Sequence, residues 1–245
     1  MHLLPSLLLL LLSPLLTTSS PSPPGKNPLS GVKNKVLAFF SHNPPPRACP
    51  GPSSEGAAPF DIAGLHRFEW VVDGVLARSS APYYRCRDGD QHLTGETMTF
   101  LKRQSIKHII SLNVEANNKT MSETIRRAKI DYTPIPVRDF HSPTFADFNT
   151  AFEAFRARRS ARTLVWCGYG NGRTGTLVVA LLMYLEHHKP RPRFFGQADY
   201  RKYHVETAGQ VQALDRLQAE LTRRRAQGQG KAKGKDVGGK KKPKF

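Results

Sequence analysis

Between Thr163 and Leu185 the chain has few ways to fold. Thr163-Leu-Val-Trp166 is a short apolar run that reads as a buried strand. Leu177 to Leu185 is apolar throughout and long enough for a buried helix. Between them lies Cys167-Gly-Tyr-Gly-Asn-Gly-Arg173-Thr174-Gly175-Thr176. The order is therefore strand, glycine-rich loop, helix N-terminus. Loop amides and the first free N–H groups of such a helix converge on one spot, which attracts a phosphate or another oxyanion. Arg173 adds a planar fork able to hold two oxygens at once. The field that attracts an anion also favours a thiolate, so Cys167 on the floor of the cradle is expected to be a nucleophile. A glycine-rich turn around a buried cysteine is the plainer alternative.

A cysteine, five residues, an arginine and then Thr-Gly, in the form Cys-x-x-Gly-x-Gly-Arg-Thr-Gly, resembles the P-loop of the cysteine-dependent protein tyrosine and dual-specificity phosphatases. The resemblance spans about residues 60 to 225 and is motif-specific near 139 and over 167–176. It implies a mostly parallel central sheet with helices on both faces. It also implies that Gly168, Tyr169, Gly170, Asn171, Gly172 and Arg173 bind the substrate phosphate, and that the Thr174 hydroxyl assists the leaving thiolate. A helix N-cap is the simpler role for Thr174. One position departs from the pattern: the family usually has His before the cysteine, and here it is Trp166. An apolar ring beside the thiol would disfavour the thiolate.

Phosphate-ester hydrolysis at such a site needs a carboxylate from a separate loop, first as acid and then as base. Val137-Arg-Asp139-Phe-His-Ser-Pro143 resembles the family's general-acid loop, and Asp139 lies 28 residues before Cys167. A turn-forming aspartate ahead of a helix is the plainer reading of Asp139. Asp147 and Glu153 are weaker candidates on the helix that follows. The loop has no Lys and no second basic residue beside Arg173, which argues against highly phosphorylated inositol substrates.

The rest of the chain agrees with an α/β fold. Phe68–Val72 and Gly74–Ala77 predict a hairpin around Asp73-Gly74, with Arg78-Ser-Ser80 breaking the pattern. Helices are expected over 94–102, 122–128, 144–158 and 207–221, and strands over 106–112 and 132–137. Strands alternating with helices argue for a mostly parallel sheet. Phe145, Phe148, Phe152 and Phe155 form one apolar helix face.

The ends differ in character. Residues 1–20, rich in Leu, read as a signal peptide. Residues 21–58 are a Pro/Ser/Gly-rich linker, 59–225 the phosphatase-like domain, and 226–245 a disordered Lys/Gly-rich basic tail. From Arg223 onward, three Arg and seven Lys oppose one Asp, giving +9 of the chain's +18. Such a tail suits an acidic surface or polyanion. If Cys167 is the nucleophile, Cys49 and Cys86 remain to pair in a secreted chain. Asn118-Lys-Thr120 is a glycosylation pattern that fits the secretory lumen. No Cys/His spacing suggests a metal, and no cofactor is needed, because Arg173 and the loop amides supply positive charge. The expected activity is hydrolysis of a phosphomonoester, on a phosphorylated protein or another phosphate ester, through a cysteinyl-phosphate. The rival is a non-catalytic phosphate-binding module docked by its basic tail.

Overall fold

The computed structural model describes residues 60–158 and 160–235. Residues 1–59, with the expected signal peptide, linker and Cys49, lie outside the described residues, as do residues 236–245 of the tail.

Five strands form one sheet: β1 (Glu69–Val72), β2 (Leu76–Ser80), β3 (Ile106–Ser111), β4 (Asp131–Pro134) and β5 (Arg162–Cys167). Their spatial order is β1-β2-β5-β3-β4. β1 runs antiparallel to β2, and the β2–β5, β5–β3 and β3–β4 pairs are parallel. Parallel neighbours need crossover helices, and these cover both faces of the sheet. Among the described residues the α-helices are α1 (Gly95–Arg103), α2 (Lys119–Arg127), α3 (Phe145–Ala157), α4 (Gly172–His187), α5 (Gln197–Lys202) and α6 (Ala208–Lys235).

Every residue of β5 after Arg162 is buried, because β5 lies between β2 and β3. Alternate side chains of a strand point to opposite faces. Val165 and Cys167 accordingly join the core built on α3, α4 and α6, while Leu164 and Trp166 join the smaller core with Phe100, Leu101 and Ile125. The Trp166 ring is thus across the sheet from the thiol, not beside it as the sequence suggested. Its indole Nε1 donates to Ser111 Oγ at 2.8 Å.

Other expectations shift. Arg78, Ser79 and Ser80 do not break β2; all three are buried within it. Arg78 is accommodated because its guanidinium donates to the carbonyls of Tyr203 (3.0 Å) and Gly170 (2.5 Å). Phe145 leaves the apolar face of α3 for solvent, with the Arg224 guanidinium 5.4 Å above its ring. The short helix α5 was not expected, since only Tyr200 of its six residues is buried. α6 continues to Lys235, so 226–235 are helical where disorder was expected. An already nucleated helix propagates through Ala226, Gln227, Gln229 and the lysines that follow, against Gly228, Gly230 and Gly234, which had favoured the reading of disorder. Cys86 is disulfide-bonded and Cys167 is the free cysteine among the described residues.

Candidate active site

The strand, loop and helix order read from the sequence is present. β5 ends at Cys167, the loop turns through Gly170, and α4 begins at Gly172 with Asn171 at its N-cap position. Gly170 has φ +89°, and a Cβ there would lie 2.7 Å from the backbone of Ser79 and Ser80. Only glycine fits that turn. Gly175 in the first turn of α4 lies so close to the Tyr203 carbonyl that a side chain would collide with it.

Cys167 is buried, and its Sγ approaches the Asn171 carbonyl at 3.9 Å. Thr174 is not the N-cap. It sits inside α4, fully buried, and its Oγ1 has no hydrogen-bond partner among the described residues. Asn171 makes no side-chain cap of its own. Tyr169 stands at the rim, partly exposed, with Arg67 Nη2 donating to its hydroxyl at 2.9 Å.

Arg173 is almost wholly buried and is gripped from several sides. Its two terminal nitrogens donate to both oxygens of Asp88, at 2.6 and 2.9 Å. Nη1 also donates to the Val137 carbonyl at 2.8 Å, and Nη2 reaches Asp139 Oδ1 at 3.0 Å. Burial alone would weaken the guanidinium charge, but Asp88, Cys167 and Asp139 together push its pKa up. Asp88 is itself fixed, since Val114 N donates to its Oδ2 at 2.7 Å. Asp139 is half-exposed and accepts from the Phe140 amide. Arg173 therefore ties together the cysteine loop, a short 3₁₀ turn at Asp88–Asp90, and the loop carrying Asp139.

The loop carrying Asp139 is held from its other side by residues the sequence reading had placed only in a helix. Gln210 Nε2 donates to the His141 carbonyl at 3.2 Å, and Thr207 Oγ1 donates to the Phe140 carbonyl at 3.3 Å. Gln210 Oε1 in turn accepts from the amides of Glu206 and Thr207. The Glu206 carboxylate lies against Gly172 and Asn171, and partial burial pushes its pKa up. Burial likewise pushes the Tyr84 phenol up, with Asp139 and Asp88 adding to the effect.

The other candidates are separate. Asp147 caps α3, accepting from the amide and hydroxyl of Thr144, and Glu153 pairs with Arg156. Asn118 is exposed and caps α2 through Met121 N. Among the described residues no group of three or more His, Cys, Asp or Glu could hold a metal ion.

A buried cysteine under a glycine turn, a helix N-terminus and a clamped arginine, all at the end of a central parallel strand, define a phosphatase-type P-loop domain. The family model described as PTP-SAK, Swiss Army Knife protein, DSP-PTPase phosphatase domain, matches residues 65–229, and the chain belongs to that family. Among solved structures it is similar to PTPMT1 in complex with PI(5)P, at 17% identity over 66% of this chain and 98% of that one, TM-score 0.50. It is also similar to the core catalytic domain of the PP-IP phosphatase SIW14 from S. cerevisiae in complex with citrate (17%, 67% and 93%, TM-score 0.48). A third likeness is to kinase associated phosphatase with its catalytic cysteine replaced by serine (16%, 60% and 87%, TM-score 0.49). No curated protein matches the sequence.

Proposed function

We propose that the protein is a cysteine-dependent phosphomonoesterase of the protein tyrosine or dual-specificity type. In the first step the Cys167 thiolate attacks phosphorus, an S–P bond forms, and the ester P–O bond breaks. Asp139 gives its proton to the departing oxygen. In the second step Asp139 takes a proton from water, which attacks phosphorus. Phosphate leaves and the thiolate returns, its charge met by the unpaired Thr174 hydroxyl. Arg173 and the amides of residues 168–173 hold the phosphoryl oxygens throughout, where they stabilise charge best in the transition state.

The observation that carries this reading is the 3.0 Å contact between Asp139 and Arg173. It brings a carboxylate from a distant loop to the mouth of the cradle whose floor is Cys167. A module that only binds phosphate needs neither the thiol nor the acid there. The test is turnover of p-nitrophenyl phosphate. Cys167→Ser should abolish it and keep phosphate binding, and Arg173→Ala should lose both. A Ser variant with near wild-type turnover would sink the thiol mechanism. We further propose a secretory-lumen location, on the Leu-rich residues 1–20, with the basic C-terminus favouring anionic surfaces. Among the described residues no helix is long and apolar enough to cross a membrane.

A further inference from the structure

Beside the cradle lies an open cleft of about 360 Å³, lined by Cys86, Arg87, Asp88, Val114, Arg138 and Asp139. Its two aspartates are the ones that contact Arg173, at 2.6 to 3.0 Å, so the cleft begins one side chain away from the phosphate clamp. Arg173 meets one of their two negative charges, and the two arginines of the cleft outweigh the other. The two arginines are different. Both are exposed, and neither side chain forms an ion pair or hydrogen bond to another side chain among the described residues. The other cations around the site are engaged. Arg67 lies 3.9 Å over the Tyr169 ring, Arg85 lies 5.2 Å over Phe60, and Arg78 is bonded to two carbonyls. Arg87 also interacts electrostatically with Asp90, so the least engaged positive charge, that of Arg138 with part of Arg87's, lies on the Asp139 side of the mouth.

We infer that this cleft is a second anion subsite, and that the substrate carries a second phosphate on a carbon next to the one bearing the scissile phosphate. The inference rests on the phosphatase reading for its chemistry but not for its binding. Two guanidinium forks can take up to four oxygen contacts, which suits a phosphate group better than a single carboxylate. The cleft shares Asp88 and Asp139 with the clamp on Arg173, which places the second group on a neighbouring carbon in this proposal. The sequence reading counted only charges inside the Cys167–Arg173 loop and so argued against such substrates. The additional charge comes from Arg87, in the segment after β2, and Arg138, in the acid loop.

The experiment compares kcat/KM for a soluble inositol bisphosphate with neighbouring phosphates and for an inositol monophosphate. It uses the full chain, its Arg87→Gln/Arg138→Gln variant and the matching double Lys variant. A second arm presents the same vicinal bisphosphate headgroup as a lipid in phosphatidylcholine vesicles. We expect the wild type to favour the bisphosphate by about tenfold or more, the double Gln variant to lose that ratio, and the double Lys variant to keep part of it, with salt shrinking it. Loss of the ratio in one arm alone identifies whether a free polyol or a lipid headgroup is the source. A ratio within about twofold of wild type in both arms overturns the subsite and leaves the phosphatase reading standing. Calorimetry on Cys167→Ser separates the two ideas. Preferential bisphosphate binding that disappears with the arginines, in a wild type that hydrolyses nothing, supports the subsite and removes the enzyme.

Discussion

Trp166 and Cys167 are adjacent in the chain and face opposite cores: the indole bonds Ser111 at 2.8 Å, while the thiol lies under the P-loop. The residue that breaks the family pattern is therefore a packing residue with one hydrogen bond. Trp166→Phe should cost about 1–3 kcal/mol, from the lost hydrogen bond and a Ser111 hydroxyl left short of a partner. The acidic limb of the kcat/KM profile should stay where it is. Denaturant midpoints and pH–rate profiles of both proteins check this, and a limb that moves in a stable variant would mean that the ring does reach the thiol.

Asp88 is the carboxylate that aims Arg173. Asp88→Asn keeps one acceptor oxygen but loses the charge and half of the bidentate grip. Competitive inhibition by inorganic phosphate should weaken by about tenfold, corresponding to roughly 1.4 kcal/mol of lost orientation. A variant that loses thermal stability but binds phosphate as before would make Asp88 a purely structural residue.

The acid role proposed for Asp139 should be visible through its leaving groups. Asp139→Ala should slow alkyl phosphate hydrolysis about a hundredfold. The loss should shrink for nitrophenolates, which depart without a proton. An equal loss for every leaving group would assign Asp139 to holding Arg173 alone.

Gln210 reaches the same acid loop from the far side. Gln210→Ala frees the His141 carbonyl and the two amides that Oε1 accepts from. The expected signature is a fall in kcat of about tenfold or more with phosphate affinity nearly intact, because the acid is misplaced and the cradle is not. A matching fall in phosphate affinity would show that Gln210 supports the P-loop instead.

His108 gives a pH effect that is independent of catalysis. It is fully buried between Thr163 and Thr133, and burial lowers its pKa from 6.5 to about 4. The unfolded chain binds a proton here that the folded chain refuses. Stability from this group is complete above pH 6.5 and falls as pH drops from there to about 4. The full swing is of the order of 3 kcal/mol. Urea midpoints at about pH 7 and about pH 5 should separate for the wild type and converge for His108→Gln. Equal separation in both proteins would assign the acid sensitivity to other groups.

The parts of the site legible in sequence are those held by neighbours in the chain. An apolar run, a glycine loop and a second apolar run fix β5, the P-loop and α4, because each element's period or composition is local. Asp139 was singled out because its loop resembles the family's general-acid loop, and the structure sets its carboxylate 3.0 Å from Arg173. Asp88 was not, since it lies in a polar 3₁₀ turn with no periodicity and meets its partner 85 residues away. Thr207 and Gln210 were read only as a helix start, because their second role depends on a loop packed against them in space. Arg78 looked like a strand breaker because its hydrogen-bond partners are two backbone carbonyls, and Glu69, 3.6 Å away, meets it only across the β1–β2 pair.

The clasp of Thr207 and Gln210 on the acid loop also decides how the chain can be cut. A fragment ending at His187 would retain the strand, the P-loop and the whole of α4, and by sequence motif it would pass for a complete catalytic unit. It would lack the segment that closes over the Phe140 and His141 carbonyls, and the Tyr203 backbone that Gly175 packs against. Such a fragment would expose the leucines and valines of α4 that α6 covers, and it would hold its acid loop by Arg173 alone. Deletion series that stop before Leu221 should therefore yield aggregation-prone protein, however intact the cysteine motif looks.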